Sequence, residues 1–481
     1  MSFRMNAVGT LCLLLFAISN EADAQLWTPL QHQPCSQGQP CFDPGTALLL
    51  TDGTVMVQGT FGDAWYRLTP DESGSYVNGT WSQMASLPSG YSPLYFASAV
   101  LPDGRVIVEG GEYNFAVSPL TSTTLGAIYS PVSDEWTPVA PPPGWCCISD
   151  GQSVVLANGQ FMLGNAYTTQ QALLNATSLA WSPTGAGKAD INDEEGWTLL
   201  PSKQVLTVDA RNGTDSELYI PTSGIWQSAG STIVPLSAGL EMGPAVLRPD
   251  GTVFAVGASE HTAVYNTSTE SWSPGPDFPM SPQGQLSEGD GPAALLINGN
   301  VLCEASSSSG PPTYFFEFDG TNLNSVDGPP EASLELPFES RMLVLPTGQV
   351  LLVGATTNIE IYTPSGIYNP NWAPRIQSAP ASVSPGESYV ITGHYLNGFS
   401  QGAAYGDDAQ SATNYPLVRI TNLATRHVFY SRTHDHSSMA VAYGGQVSTH
   451  FDVPFSQEKG ASTLVVVANG IPSAPVAVTV K

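Results

Sequence analysis

A tight turn between two short apolar runs recurs seven times along this chain of 481 residues, and the recurrence limits the fold more than any other feature. Most of the turns are Asp-Gly or Asn-Gly pairs, which tolerate the positive φ that a tight β-hairpin requires. Successive turns are 44 to 55 residues apart. A β-hairpin that repeats at this period predicts a β-propeller of seven blades. We number the repeats 1 to 7 by their turns, at residues 52–53, 103–104, 158–159, 202–203, 250–251, 298–299 and 347–348.

A second hairpin is predicted in the outer half of most repeats, because a tyrosine there precedes a tryptophan by seven residues with turn-forming residues between them. The pairs are Tyr129 and Trp136, Tyr219 and Trp226, and Tyr265 and Trp272. Repeat 7 has Tyr362, but Asn369 stands where the tryptophan is expected. We therefore predict that a strand around Trp27 completes the last blade and closes the ring.

The repeats resemble those of the kelch family, whose paired glycines appear in Val108–Gly111. After repeat 7 the period ends, and the remaining segment has about the length of one immunoglobulin-like sandwich. The expected fold is therefore all-β. It consists of a kelch-type seven-bladed β-propeller at residues 25–373 and an immunoglobulin-like early-set β-sandwich at residues 374–481.

Residues 1–24 are expected to be a secretory signal peptide, since Arg4 precedes an apolar stretch and Ala22–Ala24 matches a small-x-small cleavage site. The apolar stretch is shorter than the roughly 20 residues that a membrane anchor needs. We therefore predict a secreted monomer, periplasmic or extracellular, without a membrane anchor. A net charge of −27 repels phosphate backbones, which argues against nucleic-acid binding and leaves cations, carbohydrates and proteins as ligands.

Cysteine usage fits an oxidising compartment. Cys35 and Cys41 flank a loop rich in Pro, Gly and Gln, and we predict a disulfide between them. For the adjacent Cys146 and Cys147 the sequence leaves two alternatives, a vicinal disulfide or two buried thiols. One odd cysteine must remain free or pair outside the chain.

A kelch-type propeller followed by such a sandwich resembles the galactose oxidase and glyoxal oxidase family of copper-radical enzymes. The resemblance implies that a loop of the C-terminal domain enters the propeller axis and offers a copper ligand from a Thr-His motif, here His434 with His436 two residues on. The family's tyrosine and second histidine ligands align with Phe338 and Glu339. Phe338 has no oxygen to coordinate a metal, so we expect neither copper nor radical oxidase activity.

An acidic residue instead recurs eight or nine residues before the inner turns. The series is Asp43, Asp150, Glu194 or Glu195, Glu241, Asp290 and Glu339. These positions open the innermost strands, so the carboxylates are expected to surround one end of the channel. The candidate ligand-binding residues are Asp150, Glu195, Glu241, Asp290, Glu339, Arg341, His434 and His436, with Glu339 and His434 as candidate metal ligands. Oxygen ligands favour calcium or magnesium, and a histidine would favour zinc, manganese or iron.

Two alternatives remain open for the acidic series. The carboxylates either bind a divalent cation or polar ligand, or they accept hydrogen bonds from backbone amides of neighbouring blades. His434 and His436 are likewise either ligands or packed interface residues. Three functions follow: an exported module that binds a glycan or protein, a metal-dependent enzyme, or a diverged oxidase of the galactose oxidase type. We favour the binding module.

Overall fold

The computed structural model describes residues 26–354, 356–406 and 411–481. The predicted signal peptide lies outside these residues. The described residues form an all-β fold whose helical parts are three single-turn 3₁₀ segments, at Pro330–Ser333, Pro337–Glu339 and Pro370–Trp372. None of the helices found in this part of the chain has the length and apolarity needed to span a bilayer.

The strands are numbered in chain order, beginning with β1 (Leu26–Pro29). Repeat 1 contains β2 (Pro44–Leu49), β3 (Val55–Gly59), β4 (Trp65–Thr69) and β5 (Thr80–Gln83). Repeat 2 contains β6 (Pro93–Leu94), β7 (Ala97–Val100), β8 (Val106–Glu109), β9 (Tyr113–Asn114), β10 (Gly126–Ser130) and β11 (Glu135–Val139). Repeat 3 contains β12 (Ser153–Val155), β13 (Phe161–Gly164), β14 (Gln171–Asn175) and β15 (Ala180–Thr184). Repeat 4 contains β16 (Thr198–Leu199), β17 (Val205–Val208), β18 (Asp215–Ile220) and β19 (Ile225–Ser231).

Repeat 5 contains β20 (Ala245–Leu247), β21 (Thr252–Val256), β22 (Thr262–Asn266) and β23 (Ser271–Pro274). Repeat 6 and its approach contain β24 (Met280–Ser281), β25 (Gly284–Ser287), β26 (Ala293–Leu295), β27 (Val301–Ser307), β28 (Gly310–Phe318) and β29 (Leu323–Val326). Repeat 7 contains β30 (Arg341–Val344), β31 (Val350–Val353) and β32 (Glu360–Thr363).

The C-terminal region contains ten strands: β33 (Arg375–Ser378), β34 (Ser382–Val383), β35 (Ser388–His394), β36 (Ala403–Ala404), β37 (Leu417–Asn422), β38 (Val428–His434), β39 (Gln446–Asp452), β40 (Gly460–Ala468), β41 (Ile471–Pro472) and β42 (Val476–Val480).

The repeats form a β-propeller-like arrangement with six separate four-stranded antiparallel sheets, which come from repeats 1 to 5 and repeat 7. The four strands of repeat 6, β26 to β29, lie in a seven-stranded sheet together with β24, β25 and β36. Inner strands such as β3 and β8 are buried along their whole length. Burial on both faces explains why these strands are continuous apolar runs rather than alternating ones.

The N-terminal strand completes the sheet of repeat 7, as the sequence predicts. β1 pairs antiparallel with β32, and Trp27 lies directly opposite Tyr362. The two ring centroids are 4.9 Å apart. The same cross-strand contact joins Tyr129 to Trp136 in repeat 2, where the centroids are 5.2 Å apart. The tryptophan missing from the end of the last repeat is therefore supplied from the start of the chain.

Nine C-terminal strands form one curled sheet with the order β33-β35-β39-β38-β37-β40-β42-β34, and β41 pairs with β40. The sheet is continuous because β38 divides its pairing. Its first half pairs with β37 through Val428–Ser431, and its second half pairs with β39 through Arg432–His434. A separate apolar core that includes Ile391, Val418 and Phe451 lies beneath this sheet.

Part of the C-terminal region, described at residues 397–406 and 411–416, packs against the innermost strands of the propeller. Ala403 and Ala404 pair with Ala294 and Ala293 of β26. Further along, the Ser411 hydroxyl donates to the carbonyl of Ala47 on β2, at 3.2 Å. Because these contacts reach repeats on different sides of the ring, this channel segment occupies the axis between the innermost strands.

Candidate functional site

Five carboxylates converge at the end of the channel where the innermost strands begin. One oxygen each from Asp150, Asp193 and Glu194 lies within 4.8 Å of the other two. Glu194, Glu241 and Asp290 satisfy the same limit, so the two groups share Glu194. We call these five residues the acidic mouth. They come from repeats 3 to 6, and the sequence analysis names four of the positions, with Glu194 as one of two alternatives.

The backbone just before the innermost strands explains the convergence. Glu194 and Asp290 have left-handed conformations, with φ of 60° and 48°. Tyr95 stands at the corresponding place in repeat 2 and has φ of 51°. Each of these three residues lies eight positions before the inner turn of its repeat. The left-handed region is costly for side chains other than glycine, so a shared turn geometry at the strand entrance imposes it in several repeats.

The channel segment forms one wall of the acidic mouth. A side chain at Gly406 would lie only 2.7 Å from the carbonyl of Met242 and 2.9 Å from Asp290 Oδ1. On its other side, the carbonyl of Gly406 would lie 2.7 Å from a side chain at Gly196. The segment can therefore approach the carboxylates this closely only because both positions are glycines.

Arg211 brings positive charge to one side of the acidic mouth. Arg211, whose side chain is half exposed, lies 3.5 Å from Asp193 Oδ2 and 3.9 Å from the neighbouring Asp190. Burial raises the pKa of Asp193, and the charges of Glu241 and Asp190 add to the rise, while Arg211 opposes it. Carboxylates this close repel one another by about 1 kcal/mol per pair in water and by more where water is excluded. A cation bound among these carboxylates would offset this repulsion.

Tyrosines border the mouth on the side of repeats 2 and 3. The Tyr167 hydroxyl lies 3.1 Å from Ser149 Oγ, and half of the Tyr167 side chain is exposed. A hydrogen bond with Glu112 raises the pKa of Tyr113 to about 12, and burial and the charge of Asp150 add to this rise. Tyr113 therefore remains protonated at neutral pH, and the two tyrosines offer hydroxyl groups and ring faces beside the carboxylates.

Arg341 is buried on the side of repeat 7. Its guanidinium lies 3.7 Å from the centre of the Tyr405 ring and 5.7 Å from that of Tyr95. It donates to the carbonyls of Phe338 and Ser340, at 3.0 and 2.7 Å. Arg341 thus connects the channel segment to the entrance of repeat 7.

Glu339 does not belong to either carboxylate group. Its Oε2 atom accepts a hydrogen bond of 2.9 Å from the backbone amide of Leu336 and so caps the short 3₁₀ turn before β30. Glu339 thus accepts from a backbone amide, although from its own turn and not from a neighbouring blade as that alternative stated.

Glu195 lies in a different cluster from the one expected. It is fully buried, and Lys188 Nζ lies 3.0 Å from its Oε1. The same ammonium contacts Glu217 and lies 3.6 Å from Asp209. Burial raises the pKa of Glu195 well above its usual range, although Lys188 opposes the rise. The two residues lie in the bend before β16, where Glu194 has a left-handed backbone, and there Glu194 enters the mouth while Glu195 enters the interior.

His434 and His436 lie at the opposite end of the propeller from the acidic mouth. The backbone amide of His436 donates to the carbonyl of Pro102, which adjoins the inner turn of repeat 2. His434 contacts Asp435 and Asp452, at 2.8 and 3.1 Å. The acidic residues precede the innermost strands and the inner turns follow them, so the length of these strands separates the two sets. The part of the chain that enters the axis is the channel segment, at residues 397–406 and 411–416, not the Thr-His motif.

His436 is held as a neutral, packed residue. Burial lowers its pKa to about 3. Its Nδ1 lies 2.8 Å from the Thr449 hydroxyl, and its ring stacks on Tyr415. The copper set implied by the family resemblance therefore does not fit this chain, since Phe338 and Glu339 replace two ligands and His434 is remote from them.

Sequence reasoning missed Asp193, Tyr405 and the channel segment. The eight-residue offset to the inner turn would have selected Glu194 over Glu195, which lies seven residues before Ser202. For Asp193 the only signal is its place in a run of three acids. The channel segment has no repeat and no family motif to mark it.

No known family model matches the chain, and no curated protein matches it. Among solved structures, virginiamycin B lyase from Staphylococcus aureus has a TM-score of 0.50 at 8% identity, covering 71% of this chain and 99% of that one. A copper-bound fungal alcohol oxidase of the AA5 family has a TM-score of 0.48 at 13% identity, covering 95% and 98%. The extracellular domain of a hybrid two-component system from B. thetaiotaomicron has a TM-score of 0.49 at 10% identity, covering 96% and 59%. The first likeness shows a shared fold and nothing about activity, and the other two are too low to carry an argument.

Proposed function

We propose that this protein is an exported binding module whose acidic mouth holds a divalent cation, with calcium as the best fit, and binds a glycan or protein there. The two carboxylate groups that share Glu194 are the observation that carries the proposal. Calcium accepts six to eight oxygen ligands in flexible geometry, and neither group contains a histidine or cysteine that would favour zinc or copper.

The environment of the mouth supports a ligand as well as a cation. The half-exposed Tyr167 ring offers a flat apolar face with a polar tip, a combination enriched in binding surfaces. The hydroxyls of Tyr167 and Ser149 lie beside Asp150, where a sugar or peptide bound to the cation would find donors and acceptors. We therefore expect the cation and the ligand to bind cooperatively.

We also propose that the propeller has seven blades. Six are the separate four-stranded sheets, and strands β26 to β29 of repeat 6 form the remaining blade. Indole nitrogens bond from one repeat to the one before it: Trp136 donates to the Ala85 carbonyl and Trp181 to the Ala140 carbonyl, at 3.0 and 2.7 Å. Trp27, in the sheet of repeat 7, donates to the carbonyl of Asp327 after β29, at 2.6 Å. Innermost strand β2 contacts both β7 and β30. These contacts support a closed ring that includes repeat 6.

The domain boundaries and the export of the protein are part of the same proposal. The separate apolar core under the C-terminal sheet supports an independent unit at residues 374–481, and we propose an immunoglobulin-like sandwich whose two halves join at β38. The disulfide between Cys35 and Cys41 supports export, since such bonds persist in oxidising compartments.

Thermal unfolding with and without a chelator tests cation binding. We expect EDTA to lower the Tm of the purified protein and added calcium to restore it, because a ligand that binds only the folded state stabilises it by mass action. Glu194→Gln removes the shared ligand and should abolish the calcium response. Glu339→Gln, whose carboxylate caps a turn outside both groups, is the matched control and should keep the response. Equal Tm values in EDTA and in calcium, manganese, magnesium and zinc would contradict the proposal.

A further inference from the structure

Two adjacent cysteines, Cys146 and Cys147, lie in the loop that leads into the acidic mouth, and the proposed function does not use them. Their Sγ atoms are 2.8 Å apart, closer than sulfur atoms in ordinary van der Waals contact. Cys146 is exposed and Cys147 is half-buried, whereas the third free thiol, Cys303, is fully buried. The pair is therefore open to a soluble oxidant, and Cys303 is not.

We propose that Cys146 and Cys147 form a vicinal disulfide that is easily reduced. In this reaction the two thiols lose two electrons and two protons and form one S–S bond. A small disulfide such as oxidised glutathione accepts the electrons and protons and leaves as two thiols. The same chain already holds a disulfide at Cys35–Cys41, so the proposed compartment supports this chemistry.

The environment of the two thiols sets the order of the steps. Burial raises the pKa of Cys147 to about 11, and its hydrogen bond with Cys146 adds to the rise. Cys147 therefore remains a thiol, and the exposed Cys146 loses its proton as it attacks the small disulfide, which releases the first small thiol. Cys147 then displaces the second small thiol as it loses its proton, and the ring closes.

Ring strain makes such a bond labile. A disulfide between adjacent residues closes an eight-membered ring that contains the peptide bond joining them, so it departs from the geometry that disulfides prefer. Strained or exposed disulfides have higher reduction potentials than buried structural ones.

The cysteine pair lies so close to Asp150 in the sequence that the disulfide should affect the acidic mouth. Only buried Ile148 and Ser149, which has φ of 62°, separate Cys147 from Asp150. Closing the ring therefore restricts the segment that positions one of the carboxylates. This consequence rests on the proposed function, whereas the disulfide itself does not.

Differential alkylation across a series of glutathione buffers tests the disulfide. The intact folded protein is equilibrated at each ratio of reduced to oxidised glutathione, trapped with iodoacetamide, unfolded and mapped by mass spectrometry. In oxidising buffer we expect the peptide with residues 146–147 to carry no alkyl group and to lack two hydrogen atoms. It should become doubly alkylated in the reducing buffers of the series. Double alkylation in the most oxidising buffer, or a peptide that stays unalkylated in the most reducing one, would overturn the proposal.

Cys146→Ser is the matched variant, and its Cys147 should show no loss of hydrogen in the same series. Cys303 reports on the fold, because it should remain unlabelled until the protein is unfolded. Calcium titration of the oxidised and reduced protein then measures the consequence separately. A disulfide without any change in calcium affinity would refute the coupling, and absence of calcium binding in both forms would refute the proposed function and leave the disulfide standing.

Discussion

At the scale of single residues, the buried cluster around Lys188 shows how an acidic side chain can be structural. Three carboxylates, Glu195, Asp209 and Glu217, surround this one ammonium, and all four side chains are almost fully buried. Charges buried in this way are tolerated only when they are paired. The neighbouring Glu194 has no place in this cluster and points into the mouth instead.

Removing the ammonium should therefore destabilise the propeller strongly. We expect Lys188→Met to lower the free energy of unfolding by about 3–5 kcal/mol, because it leaves several buried carboxylates without their cation. Arg211→Met is the matched control, since that side chain is half exposed and exposed ion pairs contribute about 0–1 kcal/mol. Denaturant unfolding of both variants measures the difference, and equal midpoints would contradict the assigned role of Lys188.

Gly406 permits a second prediction at this scale. A methyl group there would lie within 2.9 Å of both the Met242 carbonyl and Asp290 Oδ1, so Gly406→Ala should displace the channel segment from the wall of the mouth. We expect a weaker calcium response with a smaller loss of stability than Lys188→Met causes. Gly62→Ala is the control, because its nearest contact is 3.4 Å. Unchanged calcium affinity in Gly406→Ala would show that the segment does not shape the site.

At the scale of elements, the innermost turns and the closing strand were predictable because local chemistry fixes them. An Asp-Gly turn needs positive φ, and Gly53 and Gly104 adopt it, at 77° and 81°. The tyrosine without a tryptophan partner in repeat 7 correctly predicted the pairing of β1 with β32. The first signal lies in the turn itself, and the second is a gap in a repeated Tyr-Trp pattern that Trp27 fills.

The carboxylates of the acidic mouth were harder to predict, because the choice between Glu194 and Glu195 depends on the position of one unusual turn. Ser202-Lys203 replaces the usual Asp-Gly in repeat 4, and three consecutive acids precede it at the relevant distance. An error of one residue in the alignment therefore selects a side chain of the buried interior in place of one in the acidic mouth. The channel segment could not be predicted, since its place depends on contacts with Ala47, which is more than 360 positions away.

The closing strand gives a prediction of its own. Trp27 packs on Tyr362 and on Phe315, with centroids 4.9 and 5.1 Å apart, so Trp27→Ala should cost about 2 kcal/mol or more of unfolding free energy. Phe455→Ala is the control, since that ring is 90% exposed and should cost almost nothing. A Tm for Trp27→Ala equal to that of the control would argue against closure by β1.

At the scale of the whole molecule, buried carboxyl groups should make stability depend on pH. Burial raises the pKa of Asp209 and of Glu360 to about 7, and burial alone raises that of Glu109 well above its usual range. Carboxyl groups in the unfolded chain titrate near pH 4. Between about pH 4 and pH 7 the folded protein therefore binds more protons than the unfolded chain, so stability falls as pH rises through this window.

Carboxyl groups whose pKa is lowered in the folded protein reduce its stability only at lower pH. Hydrogen bonds from neighbouring amides hold the pKa of Asp319 at about 2 despite its partial burial, so its contribution is lost below about pH 4. We therefore expect the highest Tm near pH 4 and a lower Tm near pH 7.5, measured by calorimetry in EDTA. A Tm that rises continuously from pH 5 to pH 8 would contradict the assignment of neutral buried carboxyl groups.

The cation in the acidic mouth is the central claim, and diffraction from crystals soaked in manganese tests it most directly. Manganese accepts oxygen ligands and gives an anomalous signal that locates the ion. The account predicts one strong anomalous peak in contact with Glu194 and with Glu241 or Asp290, and no such peak in crystals of Glu194→Gln. A peak elsewhere, or none at the mouth while each of its carboxylates is bound by backbone amides or Arg211, would contradict the account.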